Sequence, residues 1–293
     1  MQIYILENMI LTFYGEQPLE DDRLKKLYHF TSFDTFVRIW LSKKIKFGSI
    51  LSVNDIQEAA IKGISISNPS HLPVMFAFQD LVTQYKQISF SLDQDSSIKG
   101  YMNTMMWGYY ADKSRGVCIE FDYDKLTIPD NVLRRVVSYR DFPPQRTDIP
   151  DTITTIKELK DYIATEQNNL FFTKQTGWSG ENEYRLVCNA LDYLDIDGAI
   201  ECVYLTSYES DECKLVEQLV HDEIEVKYIH YLNGMLTASE TKKTRSQIEK
   251  VQKSPGVLKQ ISDQAKKYYQ EHKENEDFPL VMDKYILSHT DKP

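Results

Sequence analysis

Residues 106–122, MWGYYADKSRGVCIEFD, decide the fold. The segment MNTMMWGYYAD, which enters this stretch from residue 102, has helix-forming spacing, and Gly116 then releases VCIEFD, whose bulky alternating side chains predict a strand. A helix handed straight to a strong strand predicts a mixed fold, and the sequence on either side repeats the alternation. Toward the carboxy terminus, Arg134 to Tyr139 is predicted to pair with VCIEFD, and Asp141-Phe-Pro-Pro marks an irregular connection. A long helix, about residues 152 to 172, precedes the Gly-bounded turn and strand TGWSGENEYRLVC at 176–188. The segments AIECVYL and EVKYIHYL are two further predicted strands around a helix. Toward the amino terminus the pattern predicts a strand at Ile88 to Leu92, a helix from Val74 to Tyr85 and a strand at Ile45 to Phe47. A helix capped by Thr31 or Ser32 and ended by Lys43 and Lys44 presents Phe33, Phe36, Val37, Trp40 and Leu41 on one face. The strand Leu27 to Phe30 precedes it.

The expected class is α+β, with a mixed or largely antiparallel central sheet flanked by helices and a C-terminal helical appendage. The core is expected over 1–236 and the appendage over 237–293, because apolar density falls and charge rises beyond Thr237. Glu240 to Lys267 holds eight basic residues against three acidic ones. Ser254-Pro255-Gly256 breaks that run before Leu258, Ile261, Ala265 and Tyr268 fall on one helical face. It is read as a solvated helix face, with a protein partner or nucleic acid bound through 242–267 as the sharper alternative.

Composition narrows the function. With 42% hydrophobic residues the chain can bury a core, and 19 tyrosines favour polar-edged clefts as well as ordinary strands. The formal charge of -10 opposes general attraction to nucleic acid or anionic membranes. Cys118, Cys188, Cys202 and Cys213 lack metal-ligand spacing and read as buried apolar groups in a reducing compartment. The first residues lack the basic region of a secretory signal, and no apolar run is long enough to span a bilayer, so the expected location is cytoplasmic. No Walker loop, dinucleotide fingerprint, HExxH or Gly-x-Ser-x-Gly elbow occurs.

Taken in order, LYHFTS at 27–32, SVNDIQE at 52–58, ISFSL at 88–92, residues 106–122, VSYR at 137–140 and WSGENEYRLV at 178–187 resemble the bacterial domain-of-unknown-function family 2971. The resemblance covers about residues 27 to 230. Its most specific parts are Met-Trp-x-x-Tyr-Ala with Gly-Val-Cys-Ile-Glu-Phe, and Trp-x-x-Glu-x-Glu-x-Arg. Where that family has Asn-Asp-Pro-Phe-Glu, this chain has Asn-Asp-Ile-Gln-Glu, which keeps the polar residues and changes the shape of the turn. More distantly, Tyr-His-x-Thr in a first strand, an Ile-x-Phe-Gly strand after a helix and a late Glu-x-Glu resemble the layout of ADP-ribosyltransferases. That resemblance implies NAD as donor and glycosyl transfer, in an effector or toxin of anti-phage defence.

The candidate site follows from these residues. His29, with Thr31 and the helix amino terminus beside it, has the donors to hold a ribose hydroxyl or phosphate, or it is a buried ring bonded to a carbonyl. Asn54, Asp55 and Glu58 form either a helix start or part of a ligand site. Met106, Tyr109 and Tyr110 share a helical face and Trp107 points about 100° away, so most of these pack while one aromatic is left to stack on a flat ligand. In an extended segment Glu181, Glu183 and Arg185 line one side and Tyr184 and Leu186 the other. Two carboxylates so close favour a raised pKa on one of them, which suits acid/base work, or else they form a solvated edge. In cleavage of a nicotinamide–ribose bond a carboxylate stabilises the developing cation. Glu183, on the strand proper, is expected to matter most, with Glu183→Gln abolishing NAD turnover at nearly unchanged melting temperature. His29, Asn54 and Glu183 are expected to converge on one concave site. Two rivals stand beside this reading: a non-catalytic sensor or adaptor that binds a nucleotide or protein, and a metal-dependent nuclease or hydrolase using Asp55, Glu58, Glu181 and Glu183.

Overall fold

A computed structural model of the chain describes residues 22–54, 72–141, 149–206, 210–220, 223–232, 235–239 and 267. The strands are β1 (Lys26–Thr31), β2 (Lys44–Lys46), β3 (Gly48–Ser49), β4 (Lys86–Ser91), β5 (Val117–Asp122), β6 (Leu133–Val136) and β7 (Ser138–Arg140). After these come β8 (Thr173–Gln175), β9 (Glu183–Cys188), β10 (Tyr193–Asp195), β11 (Ile200–Leu205), β12 (Glu225–Leu232) and β13 (Met235–Ser239). The helices are α1 (Phe33–Ser42), α2 (Leu72–Thr83), α3 (Thr104–Tyr110), α4 (Ile156–Thr165), α5 (Gln167–Phe171) and α6 (Asp211–Val220).

A nine-stranded sheet runs β13-β12-β11-β5-β1-β4-β9-β6, with β3 beside β4. The pairings from β11 through β5, β1, β4 and β9 to β6 are antiparallel, and β11–β12, the pair separated by α6, is parallel. The expected mixed, largely antiparallel sheet flanked by helices is what forms. Pairing departs from expectation in one place: β6 pairs with β9, Arg135 opposite Arg185, and not with VCIEFD, whose two edges are taken by β1 and β11. The long helix expected at 152–172 is two helices. It starts at a capping box between Thr155 and Glu158, and Glu166, at ψ 10°, interrupts it.

Strand alternation sorts the core into layers. One sheet face carries Leu27, Ile88, Phe90, Ile119, Phe121, Tyr184, Leu186 and Val203, covered by Phe36, Ile39 and Trp40 of α1 and Val216 and Val220 of α6. The other face is split. Tyr28, Phe30, Cys118 and Tyr204 pack under Met106 and Trp107 of α3, and Val187 packs under Phe78, Leu159, Ile163 and Phe171 of α2, α4 and α5. All four cysteines are buried and unbridged.

Within the path, β5 meets β1 over six register pairs and β9 meets β4 over six, but β1 and β4 share only Tyr28↔Ser91. Beyond that pair the ladder opens, and the imidazole of His29 crosses the gap with Nδ1 3.0 Å from the carbonyl oxygen of Ser89. A neutral ring donating from Nδ1 satisfies that acceptor.

The chain divides into two compact units, Met1–Ala238 and Ser239–Pro293. The appendage expected from residue 237 lies outside the described residues except for 237–239 and Lys267, and the basic segment 242–267 does so except for Lys267. No helix among the described residues is long and apolar enough to cross a membrane.

Candidate functional site

The site grows from the turn between β8 and β9. Thr176–Glu181 is a 3₁₀ turn, Asn182 takes the left-handed conformation at φ 44° and ψ 58°, and β9 begins at Glu183. Glu181 therefore belongs to the turn, not to an extended run. Glu181 and Glu183 are each 2% exposed and Arg185 is 0% exposed, so the solvated-edge alternative does not hold. Tyr184 and Leu186 lie in the opposite layer, as their alternation required.

Arg185 grips Glu183 with both ends of its guanidinium: Nε lies 2.7 Å from Oε1 and Nη2 2.8 Å from Oε2, while Nη1 donates to the Phe171 carbonyl at 2.6 Å. The Lys174 ammonium joins the two acids, 3.0 Å from Glu183 Oε2 and 2.5 Å from Glu181 Oε2. Tyr110 donates to Glu181 Oε1 at 2.6 Å and also bonds the side chain of Asn54. The Glu183 amide donates to the hydroxyl of Tyr139 at 3.0 Å, and the Ser89 side chain bonds the Glu183 carboxylate.

Two carboxylates in one cluster thus titrate in opposite directions. Burial alone would raise Glu183, but the charges of Arg185 and Lys174 and the bonds from Arg185 and Ser89 outweigh it and hold this carboxyl well below the usual range. For Glu181 burial wins over Lys174, and the Glu183 charge adds to it, so its pKa is raised.

Beside Glu181 the cluster reaches the surface through aromatic side chains. Tyr109 is 64% exposed, and its ring lies 6.2 Å from that of half-buried Trp178, which in turn faces Lys174 at 5.7 Å. Ser91 lies opposite Glu183 on β4, 1% exposed, and its hydroxyl has no hydrogen-bond partner among the described residues.

The structure brings Asn54, Tyr109, Glu181, Glu183 and Arg185 to this corner and leaves three expected residues out. His29 shares its sheet face with Leu27, Phe90 and Ile119, its ring 5.8 Å from that of Phe90, whereas Glu183 and Arg185 project from the other face. The expected convergence of His29 with Glu183 therefore fails, because odd residues of β1 point away from the carboxylates. Thr31, two residues on, is buried on the same side as His29. Trp107 is 2% exposed, packed edge-on against Phe30 with Nε1 donating to the Tyr101 carbonyl, so it is a core residue and cannot stack on a ligand. Met106 is buried in the core, whereas Tyr109 is largely exposed, its ring 6.5 Å from that of Tyr110. Asp55 and Glu58 lie outside the described residues.

Sequence reasoning missed Lys174, Ser89, Tyr139 and Asn182. Lys174 carried a usable signal, as a single cation directly after Phe171-Phe172-Thr173 and seven residues before Glu181.

Burial lowers the pKa of His29, partly offset by its bond to Ser89. The folded protein keeps the ring neutral while the unfolded chain takes up a proton near pH 6.5, so stability falls as pH drops through that value and is regained above it. Denaturant titrations of His29→Leu between pH 7 and 5 are expected to show a shallower decline than the parent; parallel slopes would mean the ring protonates in the folded state.

A buried four-charge cluster opening at an exposed aromatic edge defines this as a ligand-site candidate on an α+β scaffold. Residues 106–186 match the family described as Protein of unknown function (DUF2971), and the resemblance read from the sequence to that family holds there. Two solved structures are similar. Thermus sp. 2.9 DarT in complex with ADP-ribosylated ssDNA is 12% identical over 69% of this chain and 92% of that chain, with a TM-score of 0.31. Thermus sp. 2.9 DarT in complex with carba-NAD+ is 12% identical over 69% of this chain and 94% of that chain, also at 0.31. No curated protein matches the sequence.

Proposed function

We propose that this chain is an ADP-ribosyltransferase-like enzyme that uses NAD, and that Glu181, not Glu183, is its acid/base. The observation that carries the reading is geometric: two neighbouring carboxyls share the Lys174 ammonium, Glu183 clamped by Arg185 and Glu181 bonded by Tyr110 near the exposed Tyr109–Trp178 edge, and burial raises the Glu181 pKa while the cations lower that of Glu183. Glu183 takes two bonds from Arg185 and one from Lys174, so its role is to hold those cations in place, whereas Glu181 is bonded by one cation, Lys174, and by the neutral hydroxyl of Tyr110. Glu181 faces Tyr110 and the Tyr109–Trp178 edge, where a substrate can arrive.

NAD would supply an ADP-ribosyl group on a good leaving group, nicotinamide. Tyr109 is the aromatic placed to stack on a flat ligand, and Glu181, as the carboxylate that Lys174 and Tyr110 bond, accepts the proton of the incoming nucleophile as nicotinamide leaves. The cellular role that goes with this reading is an effector or toxin of anti-phage defence in the cytoplasm. A divalent cation held between Glu181 and Glu183 is disfavoured because the Lys174 ammonium stands between those two carboxylates.

The test is NAD turnover, followed by mass spectrometry with labelled NAD and cell lysate. Glu181→Gln is expected to lower turnover by about 10²- to 10⁴-fold, the usual range for a general acid or base, and to relieve any growth arrest caused by expressing the parent. Nucleotide binding without turnover in the parent would favour the sensor or adaptor, and equal activity in Glu181→Gln would remove Glu181 from the chemistry.

A further inference from the structure

We propose that Asn182 is the positioning residue of this cluster: its left-handed backbone and its side-chain amide together fix Glu181 against Lys174 and Tyr110 while β9 fixes Glu183. The role assigned to Glu181 in catalysis rests on the reading above, but the geometry does not. Asn182 ends the 3₁₀ turn at φ 44° and ψ 58°, a conformation that asparagine adopts more readily than any β-branched or bulky residue. Its Nδ2 donates to the carbonyls of Leu92 and of Asp93, each at 3.1 Å, and its own carbonyl accepts from the Leu92 amide at 2.9 Å. Three bonds thus tie the residue between the two acids to the end of β4.

That anchor is itself braced. Asp93 accepts from the Gly100 amide and from Lys99, each at 2.9 Å, and bonds the Tyr28 side chain. From the other side, Asn103 Nδ2 donates to the Gly180 carbonyl at 2.6 Å, which holds the turn against α3 and its Tyr110. Glu181 has no strand ladder of its own, so its place relative to Lys174 on β8, Tyr110 on α3, Tyr139 on β7 and Glu183 and Arg185 on β9 depends on these turn contacts. A misplacement of about 1 Å can cost on the order of 100-fold in rate.

The experiment compares the full chain with Asn182→Ala and Asn182→Gly, using carbon-labelled glutamate carboxyls to follow Glu181 by NMR and NAD kinetics alongside. Alanine loses both backbone ease and side-chain bonds; glycine loses only the bonds. In the parent, Glu181 is expected to titrate above the ordinary carboxylate range, and in Asn182→Ala it should move down toward that range as the turn loosens into solvent, with Asn182→Gly in between. The kcat for NAD should fall about 10- to 100-fold in Asn182→Ala with KM changed less than about threefold, because the displaced group acts on the proton and not on binding. A shifted Glu181 titration without NAD turnover in the parent upholds the positioning role and sinks the NAD reading. An unshifted titration in a cooperatively melting Asn182→Ala overturns the positioning role, as does a parent Glu181 that titrates normally. Should Asn182→Ala fail to fold, Asn182→Gly decides on the same two readouts.

Discussion

Replacing Glu183 by glutamine is expected to destabilise the protein by about 3–5 kcal/mol, the range for breaking a buried ion pair by removing one partner. For a chain of this size that lowers the melting temperature by on the order of 10 °C. The sequence alone predicted almost no change, on the view that an amide keeps the shape of a carboxylate. The structure reverses this, since Arg185 is 0% exposed and its guanidinium would be left in the core without the anion that takes Nε and Nη2. Replacing Glu183 and Arg185 together by methionines should recover much of the loss, because exchanging a buried pair for apolar groups of similar volume is often neutral or stabilising. The pH dependence has a definite sign. Glu183 is held below its unfolded value, so its contribution is complete above about pH 4.3 and is lost only as pH falls through the still lower folded value. Thermal melts should therefore separate parent and Glu183→Gln by a constant gap from pH 6 to 8. A gap under about 2 °C, worth under about 1 kcal/mol for a chain of this size, would show that the carboxylate is not the counterion the geometry makes it.

The second large effect is expected from a single methyl group. A Cβ on Gly116 would lie 2.2 Å from the Thr31 carbonyl oxygen and 2.9 Å from the backbone of Ala111, and neither can swing aside as a side-chain tip can. The chain runs tightly there because Gly116 donates to the Ala111 carbonyl at 2.7 Å directly before β5 starts its ladder with Thr31. Gly116→Ala should cost at least the roughly 1–3 kcal/mol typical of overpacking, and more if β1 and β5 must part. It should also shift the end of α3 that carries Tyr109 and Tyr110. Gly108→Ala is the control: nothing lies within 4 Å of its Cβ, and alanine inside a helix gains about 0.5–1 kcal/mol over glycine. Comparable melting temperatures for the two variants would contradict the close approach.

Much of the fold was legible because it is written in local patterns. Ser32 caps α1, the VCIEFD alternation sets β5, and the switch from helix to strand at Gly116 is where the pattern put it. Partner choice was not legible: β6 is polar and short, and nothing in its residues says that β9, and not β5, lies beside it. The same limit applied to the site. Spacing placed Glu183 and Arg185 on one side of a strand, but whether that side was wet or dry depended on Phe171 and Lys174, which arrive from distant elements. Of the two readings that His29 allowed, the buried ring bonded to a carbonyl is the one that forms, and its expected convergence with Glu183 failed because alternation gives which residues share a face but not which face of the sheet holds the other acids.

The opening between β1 and β4 makes the sheet two panels. One carries β13, β12, β11, β5 and β1; the other carries β4, β9 and β6 with the four-charge cluster. In the ladder between them the backbone contributes a single register pair, with the bond from His29 to the Ser89 carbonyl beside it, each worth about 1 kcal/mol net, against six register pairs on either side. Side chains, more than the backbone ladder, therefore join the two panels: Phe90 meets Phe121 and His29 in the core layer on one face, and Tyr28 bonds Asp93 on the other.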